Sequence, residues 1–307
     1  MPTKASSDAD ALIFGNVGAR LHGPPAEMAA ADGQPSTQWE VGADCGVPVN
    51  RSIESLQQML GLASGSYFAA PRGQWIFRGH SNAAFELIPS VGRDECTSAN
   101  RQKHEDSLFT IFRREAQGYL TSLPSTEWEW LALAQHHGLP TRLLDWTYNP
   151  LVALYFTVAA EETVDGVVFA LRAPKQAAKQ VREGSPFAIS QPVKYFPSIV
   201  TQRIRAQEGL FIACSQLEIA LDKALRNDWR LEKLMVPAGS KEAIRYSLFR
   251  VGIHASSLFP DVDGLAARLK WQHAVRSPFG SALTSAAPDG GRAGHKLVRP
   301  TASGRRG

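Results

Sequence analysis

Cysteine is scarce in this sequence, and the cysteines present form no recognisable site. Cys45, Cys96 and Cys214 are odd in number and widely separated, and none belongs to a Cys-x-x-Cys pair. This spacing argues against a disulfide framework and against a cysteine-based zinc site. We therefore expect three reduced thiols and no resident metal.

Long apolar segments are also missing. The longest apolar run, residues 151–160, ends at Glu161 and is shorter than the roughly 18–20 residues that a membrane helix needs. The N-terminus, with Lys4 followed by Asp8, lacks the apolar segment of a secretory signal. The sequence thus predicts an intracellular, cytoplasmic protein with no membrane partner.

An excess of positive charge is absent from most of the chain. After Val275 there are six basic residues and one acidic residue, a net charge of +5. The whole chain has a formal net charge of +4, so the residues up to Val275 carry a net charge near −1. The basic residues are Arg276, Arg292, Lys296, Arg299, Arg305 and Arg306, and the acidic one is Asp289. The basic balance therefore does not indicate that the folded body binds nucleic acid, while the tail is suited to acidic partners.

Composition divides the chain into three regions. Residues 1–38 are rich in Ala, Gly, Asp and Pro, and residues 276–307 are rich in Gly, Ser, Ala, Pro and Arg without periodicity. Both compositions are typical of disordered segments. We predict a disordered N-terminal segment at 1–38, a single folded domain at 39–275 and a disordered basic tail at 276–307.

Local patterns predict helices and short strands in an irregular order. Capping residues and apolar periodicity predict helices that start at Ser52, span residues 105–120, 126–137 and 151–161, follow the Ser215-x-x-Glu218 capping box, and run from Ser240 to Val251. Aromatic and β-branched runs predict strands at residues 39–41, 74–78, 141–146, 167–171, 210–213 and 233–236. Strict alternation of strand and helix is missing, which favours an α+β fold over a doubly wound sheet.

Arg78 is the first candidate functional residue, because it ends a predicted strand directly before Gly79. A guanidinium there can fork onto a phosphate, or it can form an internal ion pair with Asp145 or Glu115. Arg203 and Arg205 would share one face if their stretch were extended. Both readings of Arg78 remain open from the sequence.

A polar cluster follows in residues 135–147. His136 and His137 are adjacent on a helix and point in different directions, so we assign His136 to the site and His137 to the helix end. Asp145 is either an ion-pair partner of Arg142 or Arg78, or the group that orients a histidine. A metal-dependent hydrolase built on these residues is disfavoured, because the spacing matches no His/carboxylate zinc motif.

The motifs occur in a fixed order along much of the chain. They are Phe77-Arg78-Gly79, Leu87-Ile88-Pro89-Ser90, Gln135-His136-His137-Gly138, Leu143-Leu144-Asp145-Trp146-Thr147, Gln207-Glu208-Gly209 and Leu258-Phe259-Pro260-Asp261. This set resembles the FRG domain, which is named for its Phe-Arg-Gly triplet. The resemblance extends from about Trp75 to Trp271.

The resemblance implies a fold distantly related to the ADP-ribosyltransferases, in which small mixed or antiparallel sheets flanked by helices form a central cleft that binds NAD. In those enzymes a first-strand Arg or His holds NAD, a second-strand Ser/Thr shapes the nicotinamide pocket, and a late-strand Glu contacts the ribose. The implied catalytic residues are Arg78, Thr147, Gln207 and Glu208. The implied NAD-binding residues are Arg78, Gly79, His136, Asp145, Thr147 and Tyr155.

Two classes of function follow. The resemblance implies an NAD-dependent ADP-ribosyltransferase-like or NAD-cleaving enzyme, suited to a toxin or phage-defence effector, with NAD as co-substrate and a protein or nucleic acid as acceptor. Gln207 is uncharged and Glu208 can face the other side of a strand, so the sequence leaves open which of them faces the site. The alternative is a non-catalytic nucleotide or nucleic-acid sensing module that holds phosphates with Arg78, Arg142 and Arg203.

Overall fold

One seven-stranded mixed sheet organises the described part of the chain. The computed structural model describes residues 51–69, 75–93, 100–173, 183–198, 201–226 and 228–274. The predicted disordered segments, the predicted strand at residues 39–41, and Cys45 and Cys96 lie outside these ranges.

The strands follow an order that differs from their order in the chain. They are β1 (Arg51–Ser52), β2 (Trp75–His80), β3 (Leu143–Thr147), β4 (Gly166–Arg172), β5 (Val193–Tyr195), β6 (Gly209–Ala213) and β7 (Arg230–Val236). Their spatial order is β1-β7-β4-β2-β3-β6-β5. β1 is parallel to β7, and all other neighbours are antiparallel.

Eight α-helices are described around this sheet. They are α1 (Leu56–Ser64), α2 (Arg101–Glu115), α3 (Glu127–His136), α4 (Pro150–Val158), α5 (Gln202–Ala206), α6 (Ala238–Arg250), α7 (Ala255–Leu258) and α8 (Val262–Ala274). Within the described ranges, none of the helices is both long enough and apolar enough to traverse a bilayer. The expected mixture of helices with a mixed sheet is confirmed.

The sheet narrows to one backbone bridge between β2 and β3. Phe77 pairs with Thr147 and no further pair is formed there, whereas β2 pairs along its whole length with β4, and β3 along its whole length with β6. We name this place the seam. β1, β7, β4 and β2 form the four-strand half, and β3, β6 and β5 form the three-strand half. The expectation of separate small sheets is thus corrected to one sheet with two halves.

Successive side chains of β2 point to opposite faces of the sheet and therefore pack in two different cores. Phe77 packs in the core beneath α4, and Ile76 packs in the core on the opposite face. Gly79 shares the α4 face, where a Cβ atom would lie 2.0 Å from the main-chain oxygen of Ala153. Glycine is therefore required for α4 to approach β2 closely. A third core lies between the three-strand half and helices α2 and α3.

The helix predicted after Ser215 is wrong. This segment is irregular apart from a 3₁₀ turn at Leu221–Lys223. Leu221 donates its main-chain N–H to the oxygen of Leu87 at 2.9 Å, and Gly92 packs directly on the main chain of Leu217. These distant partners occupy backbone that a helix would need, so tertiary contacts override the local capping signal.

Two other local predictions also change. The first helix is capped by Ser55, whose side chain accepts from the N–H of Gln58, and begins later than predicted from Ser52. Arg203 and Arg205 lie in α5, not in an extended segment. Residues two apart on a helix point in different directions, so these arginines do not share a face.

Candidate functional site

Arg78 lies at the seam, where β2 and β3 separate. Its side chain is 3% exposed, and Nη1 donates to the main-chain oxygen of Asp145 at 2.6 Å and lies 3.9 Å from Asp145 Oδ2. The guanidinium therefore supplies a bond to β3 beyond the point where the backbone ladder ends. Of the two ion-pair partners considered from the sequence, the structure selects Asp145, because Glu115 pairs with Arg114.

His80 holds the guanidinium of Arg78 from another side. Arg78 Nε donates to His80 Nε2 at 2.9 Å, and His80 Nδ1 lies 3.1 Å from the oxygen of Phe85. Burial, with Arg78 nearby, lowers the pKa of His80 well below its ordinary value, so the imidazole is neutral. Nδ1 then donates to Phe85, and Nε2 accepts from Arg78. His80 is not among the residues predicted from the sequence, although its spacing of two from Arg78 on a strand places both side chains on one face.

Asp145 is oriented by the end of α3. Gln135 Nε2 donates to Asp145 Oδ2 at 3.0 Å, and Gln135 Oε1 accepts from Thr141 Oγ1 at 2.6 Å. Burial lowers the pKa of Arg78 to about 10, with the charge of Asp145 opposing this effect, so the guanidinium is charged at neutral pH. Arg142, the other partner considered for Asp145, pairs with Glu105 instead.

Two cavities flank Arg78. The first is lined by Arg78, Ser90, Arg93, Gln135 and Asp145, together with two leucines. The polar and small residues of the second are Arg78, Gly79, Asp145, Thr147 and Gln207, and aromatic and aliphatic side chains of β2, β3 and α4 complete it. Each has a volume of about 10 Å³, enough for about one water molecule. Arg78 and Asp145 line both.

Thr147 and Gln207 meet at the second cavity through the backbone turn before β6. Thr147 Oγ1 donates to the main-chain oxygen of Gln207 at 2.6 Å and accepts from the N–H of Asn149 at 2.9 Å. Gln207 Nε2 donates to the main-chain oxygen of Leu258 at 3.2 Å. Of the Gln207-Glu208 pair, Gln207 lines the second cavity.

Glu208 and Tyr155 do not line either cavity. Glu208 has a left-handed φ of 47°, an uncommon conformation for a residue other than glycine, and its Oε1 accepts from Asn149 Nδ2 at 3.2 Å. Tyr155 is 4% exposed in the core beneath α4. Their side chains therefore serve the turn and the core in this structure.

His136 and Arg203 lie beside the cavities without lining them. Burial lowers the pKa of His136 to about 4, and the nearby charges of His137 and Arg203 add to this, so His136 is neutral at pH 7. Arg203 stacks over the ring of Phe259 at 4.6 Å. In the described ranges, no group of three or more His, Cys, Asp or Glu residues is arranged to hold a metal ion.

Comparison with known families identifies this region. The sequence model of the FRG domain matches residues 73–166. That stretch runs from β2 to the first residue of β4 and includes Arg78, His80, Gln135, Asp145 and Thr147. The chain therefore carries an FRG domain. No curated protein and no solved structure matches the chain.

Proposed function

We propose that this FRG domain binds NAD at the seam and acts as an ADP-ribosyltransferase-like enzyme that cleaves the bond between nicotinamide and ribose. One observation carries the proposal. Arg78, Thr147 and Gln207, three of the residues for which the family resemblance implies catalytic roles, line one cavity although they are far apart in the sequence.

The state of Arg78 supports an anionic ligand. Its guanidinium is charged, buried and fixed on two sides by His80 and by the main-chain oxygen of Asp145. A cationic donor fixed in advance loses little freedom when it binds a phosphate, and its hydrogen bonds to oxyanions are strong. The pyrophosphate of NAD is such a ligand.

Each cavity is far too small for a dinucleotide in this structure, so NAD requires the walls to part. Gln207 Nε2 bonds the oxygen of Leu258 with one of its two N–H groups, so it can donate to a ribose hydroxyl with the other N–H or by exchanging this bond. Exchanging one such bond costs about 0.5–1.5 kcal/mol, which is small beside the affinity of a dinucleotide. Opening near Gln207 is therefore compatible with binding.

The experiment combines NAD binding with turnover. Full-length protein is incubated with labelled NAD and cell lysate, and nicotinamide release and label transfer are followed beside calorimetric NAD binding. Arg78→Met is expected to weaken binding by roughly 10–100-fold, the value of a hydrogen bond to a charged group. Arg114→Met, at a side chain that is 72% exposed, is the matched control and should bind as wild type does.

Arg78 also holds the seam, so folding is checked by the thermal midpoint, and Thr147→Val supplies a second, shape-conserving variant. Thr147→Val is expected to weaken NAD binding less than Arg78→Met does. A wild-type protein that neither binds NAD nor releases nicotinamide would refute the proposal. NAD cleavage in the cytoplasm suits a toxin or phage-defence effector, for which induced expression should arrest growth in an Arg78-dependent way.

The second candidate is a non-catalytic module that binds NAD or another nucleotide. It is favoured by the position of Glu208, whose carboxylate contacts Asn149 away from the cavities, and by the lack of charge on Gln207. NAD binding without nicotinamide release or label transfer would select this candidate.

A further inference from the structure

We infer that Asp145 is the catalytic carboxylate of the proposed reaction, a role that the family resemblance assigns to Gln207 or Glu208. The inference rests on the proposed NAD cleavage. Among the described residues that line the two cavities, Asp145 carries the only carboxylate. Positive charge that develops on a ribose at the seam therefore has this acidic neighbour.

The hydrogen bonds of Asp145 leave one oxygen available to a ligand. Oδ2 accepts from Gln135, whose own oxygen is fixed by Thr141. Within the described residues, Oδ1 accepts no hydrogen bond, and a third of the side chain is exposed. The buried Glu105 differs, because both of its oxygens are bonded to Arg142.

Gln135 thus acts as a positioning residue for Asp145. It lies at the end of α3, while Asp145 lies on β3, and a hydrogen bond of 3.0 Å joins the two elements. A carboxylate held in advance stabilises developing charge without reorganising during the reaction. Glu208 has no comparable position, since its oxygen contacts the Asn149 amide at a turn.

The chemical step is a heterolysis of the glycosidic bond. The bond between ribose C1′ and the pyridinium nitrogen breaks, and its electron pair leaves with nicotinamide, which becomes neutral. The positive charge that develops on C1′ and the ring oxygen is stabilised by the carboxylate of Asp145. An acceptor nucleophile, or water in hydrolysis, then forms the new bond to C1′ and releases its proton to solvent. This charge exists mainly in the transition state, so Asp145 acts on kcat.

The test compares three carboxylate-to-amide variants of the full chain with NAD as the probe. Asp145→Asn is expected to lower kcat for nicotinamide release on the order of 100-fold, with NAD binding retained or tightened because a negative charge beside the pyrophosphate is removed. Glu208→Gln should lose far less. Asp228→Asn, at an exposed pair with Arg226, is the control and should match wild type.

A second variant separates chemistry from folding. Asp145→Ala should lose activity, and added formate should restore part of it, whereas chloride should not, because only formate replaces the missing carboxylate. The inference is overturned if Asp145→Asn keeps wild-type kcat, if Glu208→Gln loses as much, if formate has no effect, or if both Asp145 variants unfold. Wild type that binds NAD without turnover overturns it and leaves NAD binding in place, whereas wild type that does not bind NAD refutes the proposed function itself.

Discussion

Breaking the buried ion pair between Glu105 and Arg142 is expected to destabilise the protein strongly. Both side chains are 1% exposed. Glu105 accepts from the main-chain N–H of Arg142 at 2.6 Å and from its Nε and Nη2 at 2.9 and 2.7 Å. Burial raises the pKa of Glu105 despite the adjacent guanidinium, so desolvation of the carboxylate outweighs the attraction between the two charges.

The size of the expected loss in free energy of unfolding depends on which buried charge is left without its partner. Glu105→Leu leaves a buried guanidinium without its counterion, which should lower the free energy of unfolding by about 3–5 kcal/mol. Adding Arg142→Met removes the uncompensated charge and should recover most of the loss. The main-chain N–H of Arg142 still lacks its acceptor in the double variant, which costs about 1–3 kcal/mol.

Urea unfolding followed by circular dichroism measures these free energies. Glu86→Leu is the matched control, since Glu86 is 54% exposed beside Lys223, and an exposed pair contributes at most about 1 kcal/mol. The expected cost of an unpaired buried charge is refuted if Glu105→Leu loses no more free energy of unfolding than this control does. It is equally refuted if the double variant is no more stable than the single one.

Two further predictions concern packing and pH. Gly79→Ala should lower the thermal midpoint markedly, because the added Cβ would lie 2.0 Å from the main-chain oxygen of Ala153. The control Gly118→Ala should leave the midpoint nearly unchanged, because no atom lies within 4 Å of its added Cβ. Equal thermal midpoints for the two variants would contradict this prediction. The free energy of unfolding should also fall as the pH drops below about 6.5, the ordinary pKa of histidine. Burial lowers the pKa of His80 and of His136 in the folded protein, to about 4 for His136. The unfolded chain therefore binds more protons than the folded protein does at acidic pH. Thermal midpoints measured at pH 7.5 and pH 5 report this loss of stability, and the difference between them should be smaller in His136→Gln. A difference equal to that of the wild type would contradict the contribution of His136.

Features encoded by neighbouring residues could be predicted from the sequence. Helix α4 is an example, since Asn149 accepts from the N–H of Leu151 and Pro150 occupies the first turn, as the Asn-Pro pair indicates. The helix predicted after Ser215 had a similar signal and does not form. Its backbone is bonded by Leu87, a partner that no local pattern reveals.

In the candidate site, too, some features could be predicted from the sequence and others could not. The family resemblance pointed to Arg78, Thr147 and the Gln207-Glu208 pair. The fold brings Arg78, Thr147 and Gln207 to one cavity, whereas Glu208 lines neither cavity. The support of Arg78 by His80 could not be predicted in full, because it depends on a neutral imidazole whose second nitrogen faces the oxygen of Phe85. Burial sets that protonation state, and burial becomes known only with the fold.

The single bridge at the seam also determines how the chain can be divided. Along the chain, β2, β4 and β7 belong to the four-strand half. Strand β3, which lies between β2 and β4, and strands β5 and β6, which lie between β4 and β7, belong to the three-strand half. The polypeptide crosses the seam at each of these changes. No single cut between β2 and β7 therefore yields two fragments that each contain one complete half, and the two halves are interwoven despite their narrow backbone connection.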